Sequence, residues 1–269
     1  MLDSRSVYLR KQIIRTLQAG SRGHIGASMS LVEILRVLYD DILNFRSNEP
    51  DWIDRDRCIL SKGHGCLALY AILADKGYFS EEKLWTFCKP NGFVGGHPDH
   101  RTPGVEASTG SLGHGLSIGL GMALGARIDR RKNGVFVIIG DGESNEGSIW
   151  EAAMSAGKHG LERLTVLIDY NKQQSYSETS YVQDLEPLAE KWRSFGFGVR
   201  ETDGHNVSDL RQTLKSLPFE KGKPNAIICH TTKGKGIKGV EGNLKWHHKS
   251  RINNEDIQFL LNGLPQANA

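Results

Sequence analysis

The sequence predicts an α/β protein built on a doubly wound, mostly parallel sheet. Two short apolar runs rich in β-branched residues, 135–139 and 164–168, are typical of strands buried on both faces. Residues 148–159, between them, place apolar side chains at helical spacing. Strand, helix and strand in this order form one crossover unit, and the alternation continues along the chain without an internal repeat.

The first third of the chain is predicted to be mainly helical. Residues 7–19 form an amphipathic helix that ends at Gly20, because Leu9, Ile13 and Leu17 share one stripe. Similar spacing and capping signals predict helices at residues 31–42, at residues 65–76 and after Ser80. The apolar run 58–60 is too short to assign.

A long loop interrupts this pattern at residues 88–110. It is rich in Gly and Pro, and loops of this length in a compact domain are usually functional or disordered. The remaining predicted elements are a small-residue helix near 112–132, a helix at 185–195 capped by Asp184, strands at 199–202 and 226–229, and a helix near 207–217.

Polar residues follow the two central strands at the point where each strand ends. Gly140, Asp141 and Gly142 come after the first strand, and Asn171 comes just after the second. A right-handed crossover brings both strand ends to one edge of the sheet, where open α/β folds bind ligands. Asp141 and Asn171 are therefore predicted to hold a hard cation that shares a phosphate, although an Asp-Gly turn alone is common.

Three histidines lie in glycine-bracketed loops at predicted element boundaries. They are His24, His64 and His97. Glycine lets backbone approach a ligand, and a histidine can exchange protons near neutral pH. Each histidine alone is better explained as a surface or core residue, but three in the same setting favour a functional site.

A zinc site is the alternative role for closely spaced histidines. His97 and His100 lack helical spacing, because Pro98 prevents a helix there, and no glutamate completes a hydrolase motif. We expect His100, His159, His205 and His248 to be surface residues, and His114 and His230 stay unassigned.

Composition narrows the function classes. The chain has 269 residues and a net charge of +3, with no dense basic block, so nucleic acid is not expected as a partner. We expect one domain over residues 1–269, no signal peptide and no membrane span. Four scattered cysteines without a paired motif favour a reducing, cytoplasmic compartment.

The ordered motifs resemble the amino-terminal, diphosphate-binding half of transketolase over nearly the whole chain. The matching segments are GHIGAS with His24, LSKGHG with His64, residues 93–113 with His97, GDGESNEG with Asp141, IDYNKQQS with Asn171, and the loop of His247. Independent turn preferences do not produce so many motifs in the family's order.

The resemblance implies that thiamin diphosphate binds with Mg²⁺, for which Ca²⁺ or Mn²⁺ could substitute. The implied metal ligands are Asp141, Asn171 and the backbone carbonyl near Gln173. The other implied cofactor-binding residues are His64, Gly142 and His247 at the diphosphate, Gly110, Ser111 and Leu112 at the aminopyrimidine side, and Gly140 and Glu143 of the same motif.

The family's catalytic roles fall on a second set of residues. The resemblance implies that His24, His97 and His247 line the substrate channel and shuttle hydroxyl protons, while the cofactor performs the carbon–carbon chemistry. Glu146 matches a glutamate that bridges two cofactor sites at the family's dimer interface, and it also suits the start of a helix.

Transketolase also needs a glutamate on a pyrimidine-binding domain, and the pyrimidine-binding and carboxyl-terminal domains are absent from this sequence. We therefore expect a split transketolase, inactive alone, that forms an α2β2 assembly with a carboxyl-terminal subunit. Its substrates would be sugars or sugar phosphates.

Ile25, Ser28, Ser111 and His114 depart from the residues that are common in the family. Ser111 and His114 would lie by the cofactor or the substrate channel, so they leave the identity of the sugar open. The alternatives are a transferase of a modified sugar, a 1-deoxyxylulose phosphate synthase-like carboligase, and an inactive cofactor-binding subunit.

Overall fold

A computed structural model of the chain describes residues 2–266, and it contains a five-stranded parallel sheet at the centre of the molecule. The strands are β1 (Arg57–Leu60), β2 (Val135–Gly140), β3 (Leu164–Tyr170), β4 (Gly198–Asp203) and β5 (Asn225–His230), in the spatial order β1-β2-β3-β5-β4. Every pairing is parallel, so the predicted fold class is confirmed.

Helices cover both faces of this sheet. They are α1 (Ser4–Gly20), α2 (Ile25–Ser30), α3 (Val32–Val37), α4 (Cys66–Asp75), α5 (His114–Ile128), α6 (Gly147–His159), α7 (Thr179–Val182), α8 (Leu188–Ser194), α9 (Val207–Lys215) and α10 (Asn254–Asn262). Two apolar cores result, one under α1–α4, α9 and α10 and the other under α5, α6 and α8. No helix within residues 2–266 is both long enough and apolar enough to cross a bilayer.

The two central strands are buried along their whole length, as their apolar composition predicts. Gly140 pairs with Asp169, so β2 and β3 end side by side. β1, which was too short to assign from the sequence, completes the sheet beside β2. The residues that follow β2, β3 and β5 therefore converge on one edge.

The second predicted helix, residues 31–42, is present, but it changes to π-helical geometry after Val37, and the short helix before it was not predicted. Residues 25–42 form α2, α3 and a π-helical turn at Leu38–Ile42. The hydroxyl of Ser28 donates to the carbonyl of His24 at 2.9 Å, and the Ser30 hydroxyl lies 2.9 Å from the carbonyl of Ala27. Such bonds compete with the helical ladder and explain the break near Leu31.

Two predicted helix starts also need correction. Ser80 makes no side-chain capping bond, and the segment after it is a 3₁₀ helix, Glu81–Thr86. Asp184 does not cap α8, because its carboxylate accepts from the backbone N–H of Glu186 at 3.1 Å. The residue before a proline avoids the helical conformation, so α8 begins only after Pro187.

Candidate active site

Asp141 and Asn171 lie at the carboxyl edge of the sheet, as predicted. Asp141 is 2% exposed, and its carboxylate accepts from the backbone N–H groups of Gly142 at 2.7 Å and Lys172 at 2.5 Å. The Asn171 amide donates to Asp169 at 3.4 Å. Burial and the nearby Asp169 raise the pKa of Asp141 to about 6.

Gln173 is fixed beside these residues by its backbone. Its N–H donates to the Asn171 side chain at 3.1 Å, and its carbonyl accepts from the Lys233 ammonium at 3.0 Å. The same ammonium donates to the Gln174 carbonyl at 2.8 Å. Lys233 was not predicted from the sequence, and burial together with Lys62 lowers its pKa to about 8.

A buried ion pair joins the loop of His64 to the end of β3. The Lys62 ammonium lies 2.5 Å from the Asp169 carboxylate, and both side chains are almost fully buried. Ser30 also donates to Asp169, at 2.6 Å, as does Thr231. Burial opposes ionisation of Asp169, but Lys62 and these donors hold its pKa below its ordinary value.

The glycine-bracketed histidines meet in one cluster with His247. The ring of His24 lies 5.5 Å from that of His64, 6.2 Å from His97 and 5.5 Å from His247, centroid to centroid. His64 and His247 are 5.9 Å apart. The loop of His247 is held there by a bridge in which Gly23 and Lys249 exchange two backbone hydrogen bonds of 3.0 Å.

Burial among cationic groups keeps these imidazoles unprotonated. Burial and then His248 lower the pKa of His24 to about 4, and burial and then Lys233 lower that of His247 to about 3. The pKa of His64 falls well below its ordinary value for the same reasons, with Lys62 as the main cation. Neutral rings of this kind can accept protons.

The turn at Gly110, Ser111 and Leu112 packs against the His64 loop with almost no space between the backbones. A Cβ on Gly63 would lie 2.8 Å from the Gly110 nitrogen. Gly110 itself has a φ of 143°, which favours glycine, and its Cα faces the ring of His97. This approach explains two of the glycines around the site.

The chain matches the family model described as "Transketolase, thiamine diphosphate binding domain" over residues 6–264. It belongs to the transketolase family. The resemblance stated from the sequence motifs is thus confirmed, and thiamin diphosphate is the cofactor that this family domain binds.

Two transketolase subunits are similar to the chain along most of their length. An apulose-4-phosphate transketolase subunit of Phocaeicola vulgatus is 40% identical over 92% of this chain and 88% of its own length. The 6-deoxy-6-sulfo-D-fructose transketolase subunit SqwG of Clostridium sp. is 43% identical, with 92% and 90% covered.

Solved transketolases share the fold but are longer. The enzyme from Leishmania mexicana is 33% identical with a TM-score of 0.88, and 97% of this chain covers 41% of that one. The enzyme from Campylobacter jejuni is 28% identical with a TM-score of 0.89, and 43% of it is covered. The chain therefore spans about two fifths of these solved transketolases.

Glu143 and Glu146 of the transketolase motif differ in environment. Glu143 is buried, and its carboxylate accepts from the N–H groups of Gly113 at 2.9 Å and Gly140 at 3.1 Å, and from Ser61. It therefore ties three site loops together. Glu146 is exposed at the start of α6 and makes no side-chain capping bond.

The prediction for His205 is wrong. Its side chain is only 10% exposed and contacts the buried Glu33 at 2.9 Å. His100, His159 and His248 are exposed as predicted, but the ring of His248 lies 4.5 Å from that of His24. His114 and His230, left unassigned from the sequence, are also exposed.

Lys62, Lys233 and His248 were thus missed near the transketolase site. Lys62 and His248 could have been placed near the site because Lys62 precedes Gly63-His64 and His248 follows His247. Lys233 has no such neighbour, and the partners of both ammonium groups are 59 or more residues away in the sequence.

Proposed function

We propose that the chain is the diphosphate-binding subunit of a two-component transketolase, which transfers a two-carbon ketol unit from a ketose to an aldose. The observation that carries the proposal is the meeting of the histidine cluster with the carboxyl edge of β2 and β3. Two lysines connect them: Lys62, from the loop of His64, lies 2.5 Å from Asp169 at the end of β3, and Lys233 donates to the Gln173 carbonyl at 3.0 Å. Both ammonium groups also lower the pKa of His24 and of His247.

The residues at this edge fit a divalent cation. Asp141 supplies a buried carboxylate whose pKa is raised by burial and by the neighbouring Asp169, and which Lys62 compensates only in part. Asn171 and the Gln173 carbonyl supply two neutral oxygens, and Mg²⁺ completes such a set with phosphate oxygens and water. We expect Mg²⁺ here, with Ca²⁺ or Mn²⁺ able to replace it.

The surroundings also fit a diphosphate. The His247 Nδ1 and Gln174 Nε2 atoms are buried without a hydrogen-bond partner among residues 2–266. Two lysines lie nearby, and a Cβ on Gly142 would crowd the Gln174 side chain at 3.0 Å. Gly142, His64 and His247 would therefore contact the diphosphate, with Lys62 and Lys233 balancing its charge.

The histidines give the substrate side of the site its chemistry. Thiamin diphosphate, when bound, supplies the nucleophilic carbon for breaking and forming the carbon–carbon bond. His24, His97 and His247 would line the substrate channel and exchange protons with sugar hydroxyls. The lowered pKa values of His24 and His247 leave both rings neutral, so each has a ring nitrogen free to accept a hydrogen bond from a hydroxyl. Their close packing holds the hydroxyls in a fixed orientation.

Four further assignments complete the proposed site. The turn of Gly110, Ser111 and Leu112 would lie against the aminopyrimidine side of the cofactor. Gly140 allows close backbone approach, and Glu143 would act by bracing the loops it joins. Glu146, exposed at the start of α6, would face the second copy of the site.

A second polypeptide would complete the active site. Three relatives named as transketolase subunits are covered over 87% to 90% of their length, and these names support a partner subunit. The partner would carry the pyrimidine domain and its activating glutamate in an α2β2 assembly. We expect this assembly in the cytoplasm, where the four free cysteines stay reduced.

The sugar is proposed to be modified and anionic. The two relatives described above are named for apulose 4-phosphate and for 6-deoxy-6-sulfo-D-fructose. These names favour the modified-sugar alternative over common sugar phosphates.

Reconstitution tests the proposal. The chain, its pyrimidine-domain partner, thiamin diphosphate and Mg²⁺ are combined, and ketol transfer is followed with xylulose 5-phosphate and with the two modified sugars as donors. We expect transfer by the mixture and none by either polypeptide on its own. Full activity of this chain alone would refute the two-component proposal. Cofactor retention without transfer from any donor would instead favour the inactive cofactor-binding alternative.

A further inference from the structure

Three charged or polar side chains form a buried network behind the site. The guanidinium of Arg10 binds both oxygens of Glu33, at 2.6 and 2.9 Å, and the two side chains are 0% and 1% exposed. His205 joins them through Nδ1, which lies 2.9 Å from Glu33. None of these residues belongs to the proposed cofactor or substrate contacts.

The second ring nitrogen of His205 faces the backbone. The N–H of Thr232 donates to Nε2 at 2.8 Å, so this nitrogen must carry a lone pair. Nδ1 then carries the hydrogen and donates to Glu33. His205 is therefore held in one tautomer between a buried carboxylate and a backbone amide.

The network makes a second hydrogen bond to the backbone near Thr232, within residues 231–235. Arg10 donates from Nε to the carbonyl of Lys235 at 2.8 Å. Thr232 and Lys235 are thus both fixed, and Lys233 lies between them. A sharp turn at Gly234, with a φ of 80° and an N–H that donates to the Gly26 carbonyl at 2.9 Å, completes the fixed segment.

The segment in turn positions the carbonyl proposed as a metal ligand. Lys233 is 4% exposed, and its ammonium donates to the carbonyls of Gln173 and Gln174. A shift of the 231–235 backbone would move the Lys233 ammonium. It would also remove a donor that holds the Gln173 carbonyl.

Stability alone is a poor explanation for this network. Burying an ion pair costs desolvation that well-packed apolar side chains avoid, so such pairs add little net stability. A guanidinium, a carboxylate and an imidazole can, however, bind a backbone N–H and a backbone C=O at the same time. Apolar side chains have no such directional bonds.

We infer that His205, backed by the Arg10–Glu33 ion pair, is a positioning residue that fixes residues 231–235 and thereby aims Lys233 at the Gln173 carbonyl. The inference rests on the proposed function, because the value of this placement is the binding of thiamin diphosphate with its metal. His205 itself touches neither cofactor nor substrate.

Two substitutions of His205 distinguish a positioning role from a purely structural one. The amide of His205→Gln reaches about the position of Nε2 and can still accept from Thr232. The amide of His205→Asn reaches only about the position of Nδ1 and keeps the contact to Glu33 alone. His230→Asn is the matched control, since His230 ends β5 one residue before the segment, is exposed, and binds the exposed Glu201 instead.

Two measurements are made on each variant. Hydrogen exchange of the Thr232 amide is followed in the full chain without cofactor. The dissociation constant for thiamin diphosphate with Mg²⁺ is measured on the full chain assembled with its partner subunit. We expect His205→Asn to speed the exchange about tenfold and to weaken cofactor binding about tenfold. His205→Gln and His230→Asn should stay within about threefold of the wild type in both measurements.

The outcomes are distinct. Equal weakening by the Asn and Gln variants, or faster exchange at Thr232 with unchanged cofactor affinity, would overturn the positioning role. A wild-type assembly that does not bind thiamin diphosphate would instead overturn the proposed function, and the exchange measurement would still decide whether His205 holds the segment. Thermal unfolding of each variant excludes global misfolding as the cause.

Discussion

Two buried carboxylates, those of Glu33 and Asp141, have opposite electrostatic environments. Burial tends to raise the pKa of Glu33, but hydrogen bonds from His205 and Arg10 bring it down to about 2. Asp141 is buried to a similar degree, and burial with the neighbouring Asp169 raises its pKa to about 6. Arg10 and His205 fully offset the burial of Glu33, whereas Lys62 and two backbone N–H groups offset only in part the burial of Asp141 and its repulsion by Asp169.

The difference separates two uses of a buried charge. A carboxylate whose partners all belong to the chain serves to hold backbone in place. A buried carboxylate that lacks an adjacent cation is costly to the fold by itself, and such perturbed groups cluster at functional sites. The proposed site and its support can therefore be told apart by how their charges are compensated.

The largest expected effect is on stability and distinguishes the two regions directly. Glu33→Gln leaves the buried Arg10 charge without its carboxylate and should lower the free energy of unfolding by about 3 kcal/mol or more. Asp141→Asn removes a negative charge that burial and Asp169 disfavour, and it should change the free energy of unfolding by less than about 1 kcal/mol. Urea denaturation of the free chain measures both. Equal losses would contradict the comparison.

The next largest effect is expected on cofactor binding when Asp141 is replaced. Asp141→Asn should weaken Mg²⁺-dependent retention of thiamin diphosphate about 100-fold, because a metal ligand loses its charge. Equilibrium dialysis of the assembled enzyme measures retention. Asp184→Asn, an identical change at an exposed residue on the loop after β3, is the control and should have no effect. Unchanged retention in Asp141→Asn would remove this residue from the site.

A smaller effect is expected on the pH dependence of stability, where Glu33 and Asp141 should contribute with opposite signs. Glu33 has a lowered pKa, so its contribution to stability is present above its ordinary value of 4.5 and is lost as the pH falls towards about 2. Asp141 has a raised pKa, so its contribution is present below its ordinary value of 3.8 and is lost as the pH rises through about 6.

Unfolding of the wild type and of each Asn or Gln variant across pH 2 to about 7 isolates these contributions. The wild-type advantage over Glu33→Gln should grow with rising pH, and that over Asp141→Asn should shrink. Curves of the same sign would show that the two carboxylates are compensated alike.

The same two regions show how far sequence reasoning reached. Asp141 and Asn171 were predicted because they follow two strongly apolar strands, and parallel strands bring their carboxyl ends together. His24, His64 and His97 were predicted from local glycine brackets. All of these signals lie within a few residues of the side chain concerned.

The Glu33 region carries no such signal. Arg10 and Glu33 are 23 residues apart in the sequence, and Glu33 and His205 are 172 residues apart. No motif marks any of the three. Their roles depend on tertiary contacts alone, as do those of Lys62 and Lys233. For the same reason His205 was wrongly predicted to be a surface residue.

The smallest expected effect sets the baseline for the comparison. Lys223 and Glu220 form an ion pair whose side chains are about half exposed, so water already solvates both charges. Lys223→Ala should therefore change the free energy of unfolding by no more than about 0.5 kcal/mol, and added salt should remove even this difference. Urea denaturation at low and high salt measures it. A loss near that of Glu33→Gln would mean that charge pairing itself, and not burial, sets the stability of the Arg10–Glu33 pair.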